Sequence, residues 1–243
     1  MNHNTPKFNE LYQFGIAESF IDGLYRGSMP LGKLKEYGDF GLGAPSLIDG
    51  EFTICNGKVY QTTADGQTIE ASDASNTPFA FVTFFNPDKF FFNDDITSQK
   101  ELLRQLETYL DNKNGMYAIR ISGTFEHVKT RAFAPLDKEP FPPLVNLLEM
   151  QHFFEFNKTE GVLVGYKLPA FLSGINIEGY HFHFLSAERD AGGHVMSFTA
   201  DRVKIEIAQM VNLKLEPPSD IAFMNYNFKG TNRPDLEKVE KGY

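Results

Sequence analysis

The sequence predicts an α+β protein in which β structure predominates. Short aromatic and β-branched runs recur along the chain, turn residues punctuate them, and one longer segment alone has convincing helical periodicity. With 243 residues, the chain suffices for one large domain or two small ones sharing a core.

Taken in order, Phe8 to Ile21 carries Leu11, Phe14, Ile16 and Phe20, a weak pattern leading into a strand. Pro30 to Gly38 reads as a short helix, with Pro at its first turn and Gly past its end. Gly38-Asp39-Phe40-Gly41-Leu42-Gly43 reads as a glycine-dense loop, where backbone bends tightly or approaches something closely. Two strands follow, Glu51–Cys55 and Lys58–Thr63, joined by Asn56-Gly57, a pair that favours a type I′ hairpin. Phe79–Phe85 is another strand-like run. Leu102, Leu103, Leu106 and Leu110 share one stripe of a helix from Thr97 to about Asn112, capped by Thr97 or Ser98 and stopped by Asn114-Gly115. Met116–Ile121 and Glu126–Phe133 read as a second hairpin turning at Ser122-Gly123-Thr124. The proline-rich connector from Pro135 through Pro143 marks a domain boundary, dividing the chain into residues 1–139 and 140–243. Strand-like runs beyond it, at 152–156, 161–167, 179–185, 194–199 and 202–209, suggest a small antiparallel barrel or sandwich.

Composition narrows the function classes. A formal net charge of −9 with scattered Lys and Arg leaves no basic stripe for nucleic acid. One cysteine, Cys55, permits no intrachain disulfide and no thiolate cluster; in a strand it reads as a small core residue rather than a nucleophile. No window approaches the roughly 18 apolar residues of a membrane span, and the first residues lack a secretory pattern, so a soluble, cytoplasmic protein is expected.

The richest segment is Gly179-Tyr180-His181-Phe182-His183-Phe184-Leu185, followed by a polar stretch and Gly192-Gly193-His194-Val195. Side chains alternate along a strand, so His181 and His183 share a face while Phe182 and Phe184 take the other. The stretch Ser186 to Asp190, with Glu188 and Arg189, reads as a hairpin loop, and the double glycine lets His194 return on the neighbouring strand. Three converging neutral imidazoles suit zinc with a coordination position left open, the mark of a catalytic rather than a structural site. Without the third histidine, the spacing still favours a metal pair, with a solvated face as the alternative. His3, His127 and His152 show no such spacing.

The same segment, with Arg189, resembles the histidine signature of acetolactate decarboxylases. Asp39-Phe40-Gly41-Leu42-Gly43, Leu47-Ile48-Asp49-Gly50-Glu51 and Gly57-Lys58-Val59-Tyr60 resemble that family's N-terminal blocks. Tyr117-Ala118-Ile119-Arg120-Ile121 and Val128-Lys129-Thr130-Arg131 resemble its central block. The resemblance implies decarboxylation of (S)-2-acetolactate to (R)-acetoin and CO2, with Zn2+ held by His181, His183 and His194 and no organic cofactor. It implies catalytic roles for Glu51, Arg131 and Glu240, with Glu237 a rival to Glu240. It also implies an N-terminal mixed β-sheet part packed on a C-terminal small β-barrel, and a homodimer formed through the N-terminal part. One departure is visible: Ala44 follows the Gly-Leu-Gly loop where the family commonly has threonine.

The chemistry explains these residue types. Losing CO2 from a β-keto acid leaves an electron pair for the neighbouring carbonyl oxygen, and a Lewis acid there stabilises the enediolate. The substrate carboxylate calls for a planar, permanent cation such as Arg131, and proton handling calls for carboxyl groups such as Glu51 and Glu240. On pattern alone, Glu51 is a solvated strand residue, Glu240 a charge in a frayed tail and Arg131 a surface or ion-pairing residue. Two other readings of the histidines stand beside this one. A cupin-like metal oxygenase or isomerase would add a carboxylate ligand soon after the histidine pair, and a metal-stabilised binding module would bind without turnover.

Overall fold

The computed structural model of the chain describes residues 8–229, so Glu237 and Glu240 lie outside the described residues. β structure predominates, as the alternation predicts. In chain order the elements are β1 (Glu10–Phe14), α1 (Ala17–Ile21), β2 (Met29–Pro30), α2 (Leu31–Leu34), β3 (Phe40–Ala44), β4 (Glu51–Cys55), β5 (Lys58–Thr62), β6 (Thr68–Glu70), β7 (Asn76–Thr77) and β8 (Phe79–Thr83). They continue with β9 (Lys89–Asn93), β10 (Thr97–Ser98), α3 (Gln99–Glu107), β11 (Met116–Phe133), β12 (Gln151–Leu168), β13 (Gly179–Ser186), β14 (Gly192–Met210), β15 (Asn212–Glu216) and α4 (Ile221–Met224). None of the described helices is long and apolar enough to cross a membrane.

Two sheets organise the molecule. The first has seven strands in the order β15-β1-β8-β3-β4-β5-β6, and it is mixed because β1 and β15 run parallel. The second runs β10-β14-β11-β12-β13, with β9 added to β14, and a further pairing of β13 with β14 closes β14-β11-β12-β13 into a ring. A large apolar cluster lies between the sheets, taking Leu42, Phe79 and Phe81 from one and Val164, Tyr166 and Leu185 from the other. The far face of the second sheet packs on Leu102, Leu106 and Leu110 of the α3 region, and the far face of the first on Leu31 and Leu34 of α2.

Most predicted elements are present with altered limits. Ser98 caps α3 by accepting from the Glu101 amide, but the helix ends at Glu107, short of Asn112. The Asn56-Gly57 turn is formed as expected, with φ of 53° and 76° at its two residues. The glycine-dense segment is a strand, β3, rather than a loop. Its glycines serve close approach, since a Cβ on Gly43 would stand 2.5 Å from the Phe79 carbonyl oxygen and 2.6 Å from the Phe52 ring.

The second hairpin is not formed. Met116–Phe133 is one strand that crosses Ser122-Gly123-Thr124 with register irregularities beside Gly123 and Phe125, so the turn residues mark β-bulges. The runs at 152–156 and 161–167 fuse likewise into β12, and those at 194–199 and 202–209 into β14. The cut expected between residues 139 and 140 does not separate the sheets. β9, β10 and β11 precede it yet belong to the second sheet, while β15 follows it and completes the first.

Candidate active site

The histidines fall where strand alternation and register place them. His183 pairs with His194 across β13 and β14, and His194 pairs with Arg131 across β14 and β11, so the three stand side by side in one row. His181 lies two residues along β13 on the same face. That face looks into the space between the sheets, opposite Glu51 of β4. Gly193 makes the row possible: its φ is +118°, and a Cβ there would come within 2.8 Å of the Arg131 carbonyl oxygen.

All three imidazoles are buried, and one nitrogen from each lies within 4.8 Å of the others. His181 Nε2 is 3.3 Å from His183 Nε2 and 3.1 Å from His194 Nδ1. A single ring N–H could serve one of these neighbours, not both. Ligand nitrogens about 2.0 Å from a tetrahedral ion stand roughly 3.3 Å apart, so the spacing fits a cation. His183 Nδ1 donates to the Phe52 carbonyl oxygen at 2.8 Å, which fixes the tautomer and turns Nε2 inward. Burial first, and then the positive charge of Arg131, lower the His181 pKa to about 3. Burial also pushes His183 well below the ordinary range. Both rings are therefore neutral near pH 7, as ligands must be.

This depression has a sign for stability. In the unfolded chain these histidines take up protons near their ordinary value of 6.5, whereas in the fold they resist until far lower pH. The melting temperature of the metal-free protein is therefore expected to hold above pH 6.5 and to fall as pH drops from there towards 3. Thermal melts across that range check it; a flat profile would contradict buried neutral histidines.

Beside the imidazoles, Arg131 Nη1 donates to Glu51 Oε1 at 2.7 Å, and Arg131 is only 2% exposed. Its guanidinium lies 4.9 Å from the centre of the Phe133 ring. Glu51 Oε2 stands 3.6 Å from His183 Nε2. These five side chains line a cavity whose remaining wall is largely apolar, including Phe20, Ala44, Ile48, Phe79, Leu144 and Ile177.

The structure thus brings together His181, His183, His194, Glu51 and Arg131. Among the described residues, the group able to hold a metal contains three histidines and no carboxylate. Arg189 stays in the turn between β13 and β14, where its Nη1 donates to the Ser186 carbonyl oxygen at 3.1 Å. Cys55 is buried in the intersheet core, and burial raises its thiol pKa, which suits a packing role. Sequence reasoning missed the apolar wall. Ile48 enters it from backbone at φ 50°, following Leu47 at φ 62°, a conformation costly for a β-branched residue. Pro45 and the Asp49-Gly50 pair were the nearby signals of a sharp turn.

A buried pocket carrying converged imidazoles, a carboxylate and a guanidinium defines an enzyme acting on a small molecule. The family model described as Alpha-acetolactate decarboxylase matches residues 11–230. The chain is 33% identical over 230 residues to the alpha-acetolactate decarboxylase of Bacillus subtilis, covering 95% of this chain and 89% of that protein. It is 34% identical over 231 residues to the one from Methanosarcina mazei, covering 95% and 80% respectively. The crystal structure of alpha-acetolactate decarboxylase from Bacillus subtilis strain 168 superposes with a TM-score of 0.92 at 32% identity, covering 96% of this chain and all of that one. The chain belongs to the alpha-acetolactate decarboxylase family.

Proposed function

We propose that the protein decarboxylates (S)-2-acetolactate to (R)-acetoin and CO2, with zinc held by His181, His183 and His194. The observation that carries this reading is the Glu51–Arg131 pair, brought from opposite sheets to 2.7 Å beside three clustered imidazoles. A zinc ion held by these three imidazoles would supply Lewis acidity towards the electron pair left by departing CO2.

The chain's own groups do the rest. Arg131 is a permanent cation with five N–H donors in a planar fork, suited to receive the substrate carboxylate while keeping its bond to Glu51. The buried Phe133 ring under the guanidinium restricts its tilt. As the bond from the carboxyl carbon breaks, its electron pair moves to the former ketone, and a proton must then reach the carbon that lost CO2. Glu51, whose Oε2 lies 3.6 Å from His183 Nε2, is one proton-handling group in this reading. Glu240 is the second proton-handling group in this reading, and a donor on one face explains a single product enantiomer. The apolar wall excludes water that would otherwise protonate either face.

Metal analysis with an acetolactate assay tests the reading. Zinc near one equivalent together with acetoin release supports it. Iron with oxygen consumption, or metal without turnover, would replace it with the oxygenase or binding-module reading.

A further inference from the structure

Two fully buried amides stand where an apolar core predicts none. Gln13 and Asn176 are both 0% exposed. Gln13 is two residues from Leu11 on β1 and shares its face towards the intersheet core, where an amide destabilises the fold unless hydrogen-bonded. Its Nε2 donates to the Ile175 carbonyl oxygen at 2.6 Å and to that of Gly15 at 2.8 Å. Its Oε1 accepts from Asn176 Nδ2 at 2.7 Å, and Asn176 Oδ1 accepts from the Ile177 amide at 2.6 Å.

Backbone bonds continue the knot. The amides of Ala17 and Glu18, at the start of α1, donate to the carbonyl oxygens of Ile175 and Gly174 at 3.0 and 2.9 Å. The end of β1, the first turn of α1 and residues 174–177 are thereby tied together. Phe20 on α1 and Ile177 beside Asn176 both line the catalytic cavity. Two apolar walls hang from one polar knot.

Acetolactate offers a carboxylate, a hydroxyl and a ketone to the polar side of the cavity. What remains of it is two methyl groups, and the apolar wall is the surface that can receive them. We propose that Gln13 and Asn176 are positioning residues that set the width of this wall, and with it the size of alkyl group accepted at the reacting carbon. The proposal rests on the acetolactate reading above. A rigid apolar pocket separates substrates differing by one methylene by about 10- to 200-fold, and a wall free to give way loses that discrimination.

The test compares kcat/KM for 2-acetolactate and its homologue with ethyl in place of the 2-methyl group, using zinc-loaded enzyme. Asn176→Ala should compress the methyl-over-ethyl preference by about tenfold, chiefly by raising KM for acetolactate. Ile177→Ala, which widens the wall directly, should shift the preference the same way. Asn176→Asp keeps the acceptor for the Ile177 amide but loses the donor to Gln13, and supplies a second variant should Asn176→Ala not fold. A merely structural role would lower both substrates equally. An unchanged preference in a folded Asn176 variant, or in Ile177→Ala, overturns the proposal. Failure of the unaltered enzyme to release acetoin from acetolactate would instead overturn the functional reading itself.

Discussion

His183→Ala is expected to lose bound metal and activity together. His183 pairs with His194 across the strands and shares its face of β13 with His181, whose Nε2 lies 3.3 Å from its own. Its removal leaves two imidazoles. Changing a residue that merely orients a ligand already costs about 10- to 100-fold in metal affinity or activity, so losing a ligand should cost more than 100-fold. A second loss accompanies it. The Phe52 carbonyl oxygen, buried between the sheets, forfeits its 2.8 Å bond from His183 Nδ1, a loss of about 1–3 kcal/mol. Metal content, acetoin release and the melting temperature should therefore fall in one variant. Full metal occupancy would sink the three-histidine assignment.

Arg131→Lys should behave differently, keeping the metal while the rate falls on the order of 100-fold. Lysine preserves the charge opposite Glu51, so the buried pair is not broken outright. An ammonium is a point donor, however, and cannot span Glu51 and a substrate carboxylate as a planar fork does. Arg131→Ala would go further, leaving the Glu51 carboxylate buried at the sheet interface without its 2.7 Å partner. Breaking such a pair costs about 3–5 kcal/mol, enough to unfold a marginal protein. The informative comparison is steady-state kinetics with metal analysis on Arg131→Lys: an undiminished rate would remove the carboxylate-binding role.

The histidine cluster was legible because its signal is local. Alternation puts His181 and His183 on one face, and the Gly192-Gly193 pair announces a close strand return before His194. The Asn56-Gly57 hairpin and the leucine stripe of α3 are local in the same sense. The long strands were not legible, since Gly123 and its neighbours carry turn chemistry that β11 uses for bulges. Nor was the meeting of Glu51 with Arg131, eighty residues apart; spacing along the chain says nothing of two strands on opposite sheets, and only the resemblance linked them. Gln13 and Asn176 were invisible for a related reason. A glutamine in a strand reads as solvent-facing until the partner that satisfies it in the core is known.

The parallel pairing of β1 with β15 has a consequence for how the protein is made. The second strand in the order of the first sheet is synthesised first, and its outer neighbour emerges some two hundred residues later. β11, meanwhile, finds both of its partners only downstream, in β12 and β14. A nascent chain stopped near residue 139 would thus hold β1 as a bare edge and β11 as a long strand with no ladder on either side. Such a fragment has template surfaces but no finished layer, the condition that invites pairing with another chain. Assembly of the catalytic pocket is consequently a late event, shared by both sheets, and expression of the first half alone should yield aggregate rather than a stable subunit.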